Sequence, residues 1–423
     1  MRILAYASEK EGSAGMAKKS AEAGSRGEDV RSDAWVSLRR TSSGGPVVKI
    51  RSKVKALYGE SIEELMHEGL AHFGIEHAVV TVEDRGALPF VLMSRLEGAV
   101  RRLDPTHLYS PWLPSAGPDP KPSDRSRPRR SRLYLPGNNP KFMVNAAMHR
   151  PDGLILDLED SVAPAEKDTA RILVRNALRH LDFLESERMV RVNQGQRGID
   201  DLPYVVPCGV NLILVPKVES AEELRRFDEA LHEVKREHQI KHPVWLMPIV
   251  ESAKGAWFAY EIASASEHVA ALTIGLEDYA ADLGVQRTAE GRESLWARQQ
   301  VVNGARAAGV QPIDSVFSDV DDSEGLLSSV REAKALGFVG KGCIHPRQIA
   351  VIHQGFAPTP AEINAAQKIV SAFEAAEKQG VGVVSLGSKM IDAPVVKRAR
   401  HTIEQAEREG LLRKDWRKEH QKR

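Results

Sequence analysis

From Arg129 onward, short apolar runs keep alternating with helical patterns. Eight of them can be read as strands: RLYLP, GLILDL, MVRVN, NLILVPK, VWLMPIVE, AALTIGLED, IDSVFSD and GCIHP. Amphipathic stretches such as SAEELRRFDEALHEVKRE and SEGLLSSVREAKALGF separate most of them. Eight strands alternating with helices over roughly 290 residues predict an α/β fold, a closed (β/α)8 TIM barrel. A doubly wound open sheet is the alternative. It would more often carry a glycine-rich fingerprint after its first strand, and LPGNNPKF does not match one.

The 423 residues leave room for more than this barrel. The 59 basic and 58 acidic side chains nearly cancel, so no overall field favours nucleic acid or an acidic membrane. No run nears the roughly 18 apolar residues that cross a bilayer, and MRILAYASEKEGSAG lacks the form of a secretory signal. Two cysteines, Cys208 and Cys343, give neither metal spacing nor a disulfide framework and suit a reducing cytoplasm.

Composition divides the chain into four parts. Residues 1–30 are rich in Gly, Ser, Ala and charge and are expected to be flexible. Residues 31–102 form a small α+β domain. It has alternation at Ala34–Leu38 and Pro46–Ile50, then a helix in SIEELMHEGLAHFG with Gly74 as its C-cap. A strand, a turn at Asp84–Gly86 and a second strand running into a helix follow. Residues 103–130, with PWLPSAGPDPKPSDRSRPRR, are expected to be a semi-extended linker holding its neighbours apart. Residues 131–423 hold the barrel and a C-terminal helical segment.

A barrel of this kind works at the C-terminal ends of its strands. There the sequence sets Asn138; Asp157 with Glu159 and Asp160; Arg191 with Asn193; then Lys217, Glu251, Asp278, Asp319 and His345. Helix capping accounts for some of these carboxylates, but Arg191 and Lys217 are poor N-caps. Glu251 and Asp278 come from consecutive strands, and two such acids suit Mg²⁺, a hard cation that keeps part of its water. Unconnected capping by each is the plainer alternative. Arg191 suits either a structural pairing with these acids or bidentate capture of a substrate carboxylate. Lys217 admits a Schiff-base aldolase, although the surrounding acid would keep its ammonium charged. His345, with no second His or Cys at matching spacing, is expected to be structural.

The large module resembles the citrate lyase β-subunit family, within the HpcH/HpaI aldolase and malyl-CoA lyase superfamily. The resemblance rests on RRSRLYLPGNNPKFM, LILDLEDSVAPAEKDTAR, VRVN, LVPKVESAEEL, IVESAKG, IGLEDYAADLGVQRT, GFVGKGCIHPRQI and GSKMIDAP. It implies a trimer-forming, Mg²⁺-dependent lyase that splits a citryl-like 3-hydroxyacyl thioester into oxaloacetate and an acetyl thioester. It further implies that Glu251 and Asp278 hold the metal, that Glu251 and Arg191 meet the substrate, and that Asp392 is an acid reaching a neighbouring subunit's site. The small module resembles the citrate lyase γ-subunit, an acyl carrier, through VEDRGALPFVLMSRLEGAVRR. That family carries phosphoribosyl-dephospho-CoA on a serine. Here Ser32 is the nearest match and Ser25 the second, with Arg31 standing where the attachment serine would be. A citrate lyase α-type transferase subunit is the implied partner, and the implied assembly is a homotrimer or larger. Malyl-CoA or citramalyl-CoA lyase activity or thioesterase activity on free CoA thioesters, and a non-catalytic acyl-thioester scaffold, are the alternatives. Deleting residues 1–102 is expected to spare chemistry on free CoA thioesters.

Overall fold

The computed structural model describes residues 19–105, 117–377, 384–386 and 389–417. The first 18 residues and the middle of the proline-rich stretch lie outside these. All eight predicted strands form: β5 (Ser131–Pro136), β6 (Gly153–Asp157), β7 (Glu187–Arg191), β8 (Leu212–Val215), β9 (Trp245–Val250), β10 (Ala271–Ile274), β11 (Gln311–Asp314) and β12 (Gly340–Cys343). They are parallel throughout, and β12 pairs with β5 to close the barrel. Between strands and helices lies an apolar layer of Leu, Val, Ile and Ala from both. A smaller cluster, including Ile155, Met189, Leu214 and Met247, fills the barrel interior.

The small domain is a four-stranded sheet in the order β1 (Ser20–Gly24), β2 (Ala34–Arg40), β4 (Ala78–Asp84), β3 (Pro46–Ser52). Helices α1 (Lys55–His72) and α2 (Pro89–Leu103) complete it. Gly74 follows α1 at φ +63°, as the capping pattern predicts. Three expectations are corrected. Residues 20–24, expected to be loose, form strand β1 against β2. Their alanines have low strand propensity, but backbone pairing and the burial of Ala23 hold them. The second strand expected after the Asp84–Gly86 turn is instead helix α2. Pro89 occupies its first turn, where a fixed φ and a missing N–H cost nothing. Its main apolar stripe, with Leu92, Leu96, Ala99 and Val100, packs on the small domain's sheet, while Phe90 and Val91, off that stripe, face the barrel.

The third correction concerns the linker, which does not hold the two modules apart. Helix α2 lies along the barrel helix Lys167–His180. Gly98 allows this approach, since a Cβ there would meet Thr169 Cγ2 at 2.8 Å. Glu97 and Arg175, both fully buried, pair across the contact at 2.5 Å, and Asn176 donates to Ser94 at 2.8 Å. Phe90 and Val91 of α2 belong to the barrel's own apolar cluster. The described part of the proline-rich stretch packs along the N-terminal face of the barrel. There Arg129 makes a buried two-point pair with Glu187 at 2.7 and 2.8 Å, and Trp245 donates to the Ser123 carbonyl at 2.8 Å. Prolines remove donors without preventing the chain from being anchored by other groups, and here the Arg129 side chain and the Ser123 carbonyl anchor it.

Candidate active site

Strand direction brings Asp157, Arg191, Glu251 and Asp278 to one end of the barrel. They line a cavity of about 450 Å³ that reaches down past Tyr134 and Thr273 to Arg132 and Gly342. At the rim Arg191 lies across the end of β6. Its Nε and Nη2 donate to the two oxygens of Asp157 at 2.6 and 2.7 Å, and Nη1 reaches Glu159 at 2.9 Å and Asp160 at 3.5 Å. Asp157 also accepts from the backbone N–H groups of Glu159 and Ser161. The capping role and the ion-pair role therefore fall on the same carboxylate. Burial works to raise its pKa, but the Arg191 contacts outweigh that and hold it below the usual carboxylate range. Glu159 is shifted upward by burial and by Asp160, with Arg191 opposing.

Glu251 directly follows β9 and is 6% exposed. One of its oxygens accepts from the Lys217 backbone N–H at 3.0 Å. A Cβ at residue 275 would sit 2.4 Å from the other, so glycine there makes room for the Glu251 side chain in this position. Burial pushes the Glu251 carboxyl up to about 8; Arg191 pulls the other way, and Glu159 and Asp278 add to the rise. Asp278, on helix Leu276–Leu283, meets the Lys217 ammonium at 3.1 Å. Lys217 sits at φ +52°. Burial tends to lower its pKa, but Asp278, Asp160 and Glu159 raise it above the ordinary value. An amine whose charged form is favoured in this way does not suit Schiff-base chemistry.

Five carboxyl groups thus share the rim with the side chains of Arg191 and Lys217. This surplus of hard oxygen, centred on an acid that cannot ionise cheaply without a counter-charge, fits a divalent cation on Glu251 and Asp278. The structure does not bring the remaining predicted residues into the cavity. Asp319 accepts from the Asp321 and Asp322 N–H groups, and His345 Nδ1 accepts from the Arg347 N–H; both are turn contacts. Asn193 is tied to Asp201 and Lys167. Asp392 caps the helix Ala393–Arg408 through the Val395 N–H at 3.2 Å and does not line the cavity.

A serine that a transferase is to modify needs to lie exposed on mobile chain; Ser32 instead lies half-buried in a bend at φ +55°, its N–H bonded to the Arg85 carbonyl. The next residue, Asp33, is clamped by Arg95, which also donates to the Asn138 carbonyl in the loop after β5. The small domain therefore meets the loop at the end of the first barrel strand directly beside Ser32. Ser25 is exposed.

Sequence reasoning passed over Arg132. It opens RLYLP and shares a strand face with Tyr134, so the alternation of β5 carried a signal that it points inward.

Residues 130–346 match the family model described as HpcH/HpaI aldolase/citrate lyase, and residues 18–103 match the acyl-carrier model described as malonate decarboxylase delta subunit. The citrate lyase subunit beta of Haemophilus influenzae is 42% identical over 281 residues, covering 66% of this chain and 97% of that protein. The mitochondrial citramalyl-CoA lyase of Mus musculus is 34% identical over 327 residues, covering 74% and 96%. Among solved structures, the protein CitE of Mycobacterium tuberculosis, in complex with magnesium, acetoacetate and coenzyme A, superposes with a TM-score of 0.55. It is 29% identical and covers 67% of this chain and 99% of that one. Barrel, site and relatives together define a carbon–carbon lyase. The chain belongs to the HpcH/HpaI aldolase/citrate lyase family, with an acyl-carrier-like domain joined to its N-terminus.

Proposed function

We propose that this enzyme cleaves a citryl-like 3-hydroxyacyl thioester to oxaloacetate and an acetyl thioester, with Mg²⁺ held by Glu251 and Asp278. The buried, cation-seeking carboxyl of Glu251 at the barrel mouth carries the proposal. When bound, the metal would supply Lewis-acid polarisation of the 3-hydroxyl and its neighbouring carboxylate. Asp157 fixes Arg191 through Nε and Nη2. That leaves Nη1, shared by Glu159 and Asp160, as the nitrogen a substrate carboxylate takes over. Lys217 restrains Asp278 and, through its backbone, Glu251.

Asp392 lies outside its own chain's cavity, which is compatible with a role as acid in a neighbouring subunit of a homotrimer. Attachment of a phosphoribosyl-dephospho-CoA arm at Ser32 would place it beside the loop after β5 in the same chain, supported by the Asp33–Arg95–Asn138 contacts. An α-type transferase subunit would then supply the acyl group. A second reading, cleavage of free CoA thioesters such as citramalyl-CoA, is favoured by the firm docking of the small domain through buried Glu97–Arg175.

The test is Mg²⁺-dependent release of oxaloacetate from a citryl thioester, compared in Glu251→Gln, alongside the intact mass of the purified chain. Near-normal release by Glu251→Gln at limiting Mg²⁺ would remove the metal assignment. An unmodified mass with turnover of free CoA thioesters would select the second reading.

A further inference from the structure

The floor of the cavity differs from its rim. Arg132 projects into the barrel interior, is 1% exposed and lines the same cavity as Glu251 and Asp278. Its contacts are with neutral atoms: Met247 sulfur at 3.0 Å, Thr273 Oγ1 at 3.3 Å and the Asp314 carbonyl at 3.4 Å. Among the described residues its Nε has no hydrogen-bond partner. The nearby Asp314 carboxylate is already engaged by Lys341 at 2.7 Å and by Arg298 at 3.1 Å. A buried guanidinium with no carboxylate of its own is a costly thing to keep, and an anionic partner removes that cost. Gly342, which lines the same cavity, packs tightly against Val316 and the Tyr134 ring: a Cβ there would stand 2.8 Å from Val316 Cγ1 and 3.3 Å from that ring.

We infer that Arg132 is a substrate subsite for a second carboxylate. This rests on the lyase reading above and narrows its substrate class. The thioester end stays at the open mouth, and the 3-hydroxyl with its adjacent carboxylate occupies the acidic rim. A further carboxymethyl group on the same carbon then points down the barrel to Arg132. The preferred product is accordingly a dicarboxylic keto acid. Substrates carrying hydrogen or methyl at that branch leave the guanidinium unpaired and are discriminated against.

The probes are L-malate and L-lactate, titrated calorimetrically into the full-length protein with Mg²⁺. Both offer the same 2-hydroxycarboxylate to the rim, and only malate adds a terminal carboxylate. Wild type is expected to bind malate about a hundredfold more tightly than lactate. Arg132→Met is expected to bring the two within about threefold, with lactate affinity unchanged, because only the second carboxylate loses its partner. Arg132→Gln, which can still donate to Thr273 Oγ1, repeats the measurement should the methionine variant fold poorly. A wild-type protein that does not separate the two acids overturns the inference. So does a folded variant that keeps the wild-type ratio or loses both ligands equally. Neither arm requires turnover. Absence of thioester cleavage alongside an Arg132-dependent malate preference would therefore refute the lyase reading and leave the subsite standing.

Discussion

The Glu251 carboxyl ties the site's electrostatics to a measurable proton count. Its pKa is raised from 4.5 to about 8, chiefly by burial. Ionising it in place without a cation therefore costs on the order of 4–5 kcal/mol relative to water. The metal must meet the ionised form, so binding expels the proton. At pH 7 a group with this pKa is about nine-tenths protonated, which predicts release of about 0.9 proton per Mg²⁺, falling to about 0.1 at pH 9. Calorimetry in two buffers of different ionisation enthalpy counts these protons. The same shift acts on the metal-free fold. Between roughly pH 4.5 and 8 the native state keeps a proton that the unfolded chain has lost, so this group's contribution to stability declines as pH rises through that window. Glu251→Gln removes the titration, so its melting temperature should overtake that of metal-free wild type as pH approaches 8. Tight Mg²⁺ binding at pH 7 with no proton release, or parallel pH–stability curves for the two proteins, would refute the reasoning.

Arg191→Lys should lower kcat/KM about a hundredfold or more, because an ammonium cannot hold the two oxygens of Asp157 and still offer a nitrogen to substrate; steady-state kinetics with unchanged kcat/KM would contradict this. Glu97→Gln strands the buried Arg175 charge and should cost about 3–5 kcal/mol in urea denaturation at pH 7. Burial opposes the downward pKa shift of Glu97, but the Arg175 contacts prevail. Its wild-type contribution is therefore present above the unfolded pKa and lost as pH falls through the lower folded value. If Asp392 serves a neighbouring subunit, mixed oligomers of Asp392→Asn and Glu251→Gln should regain part of the activity that each lacks alone. Mixtures as inactive as their parents would place Asp392 outside the mechanism.

What the sequence made legible follows from how each feature is encoded. Barrel strands covered on both faces appear as short continuous apolar runs, and the strand ends position the site residues. Asp157, Arg191, Glu251 and Asp278 were therefore legible, and all four line the cavity. Asp319 and His345 occupy equivalent places in the chain but serve turns. Whether a strand-end polar group faces the cavity depends on local backbone geometry that spacing does not record. Arg132 was missed for the opposite reason: a charged side chain at a strand's start reads as exposed, although alternation aims it inward. The start of α2 was read as a strand because Phe90–Met93 is a continuous apolar run, and that run is continuous because Phe90 and Val91 serve the barrel's core while Leu92 serves the small domain's.

That shared core changes what truncation can test. With residues 1–102 removed, the apolar side of the helix Lys167–His180, where α2 lay, would meet water, and Phe90 and Val91 would leave a gap in the barrel's cluster. Arg175 would regain solvent, so the damage is exposed apolar surface rather than a stranded charge. The truncated barrel is therefore expected to aggregate or melt well below the full chain, whatever its intrinsic chemistry. Loss of activity in that form would say nothing about a carrier arm. Ser32→Ala in the intact chain separates the two, because it leaves the Asp33–Arg95 clamp and the α2 contact in place. If Ser32 bears the prosthetic arm, co-expression with a transferase should add the arm's mass to wild type and not to this variant. Turnover of carrier-bound substrate should vanish while cleavage of free CoA thioesters persists. An arm retained by Ser32→Ala would move the attachment elsewhere, with exposed Ser25 next in line.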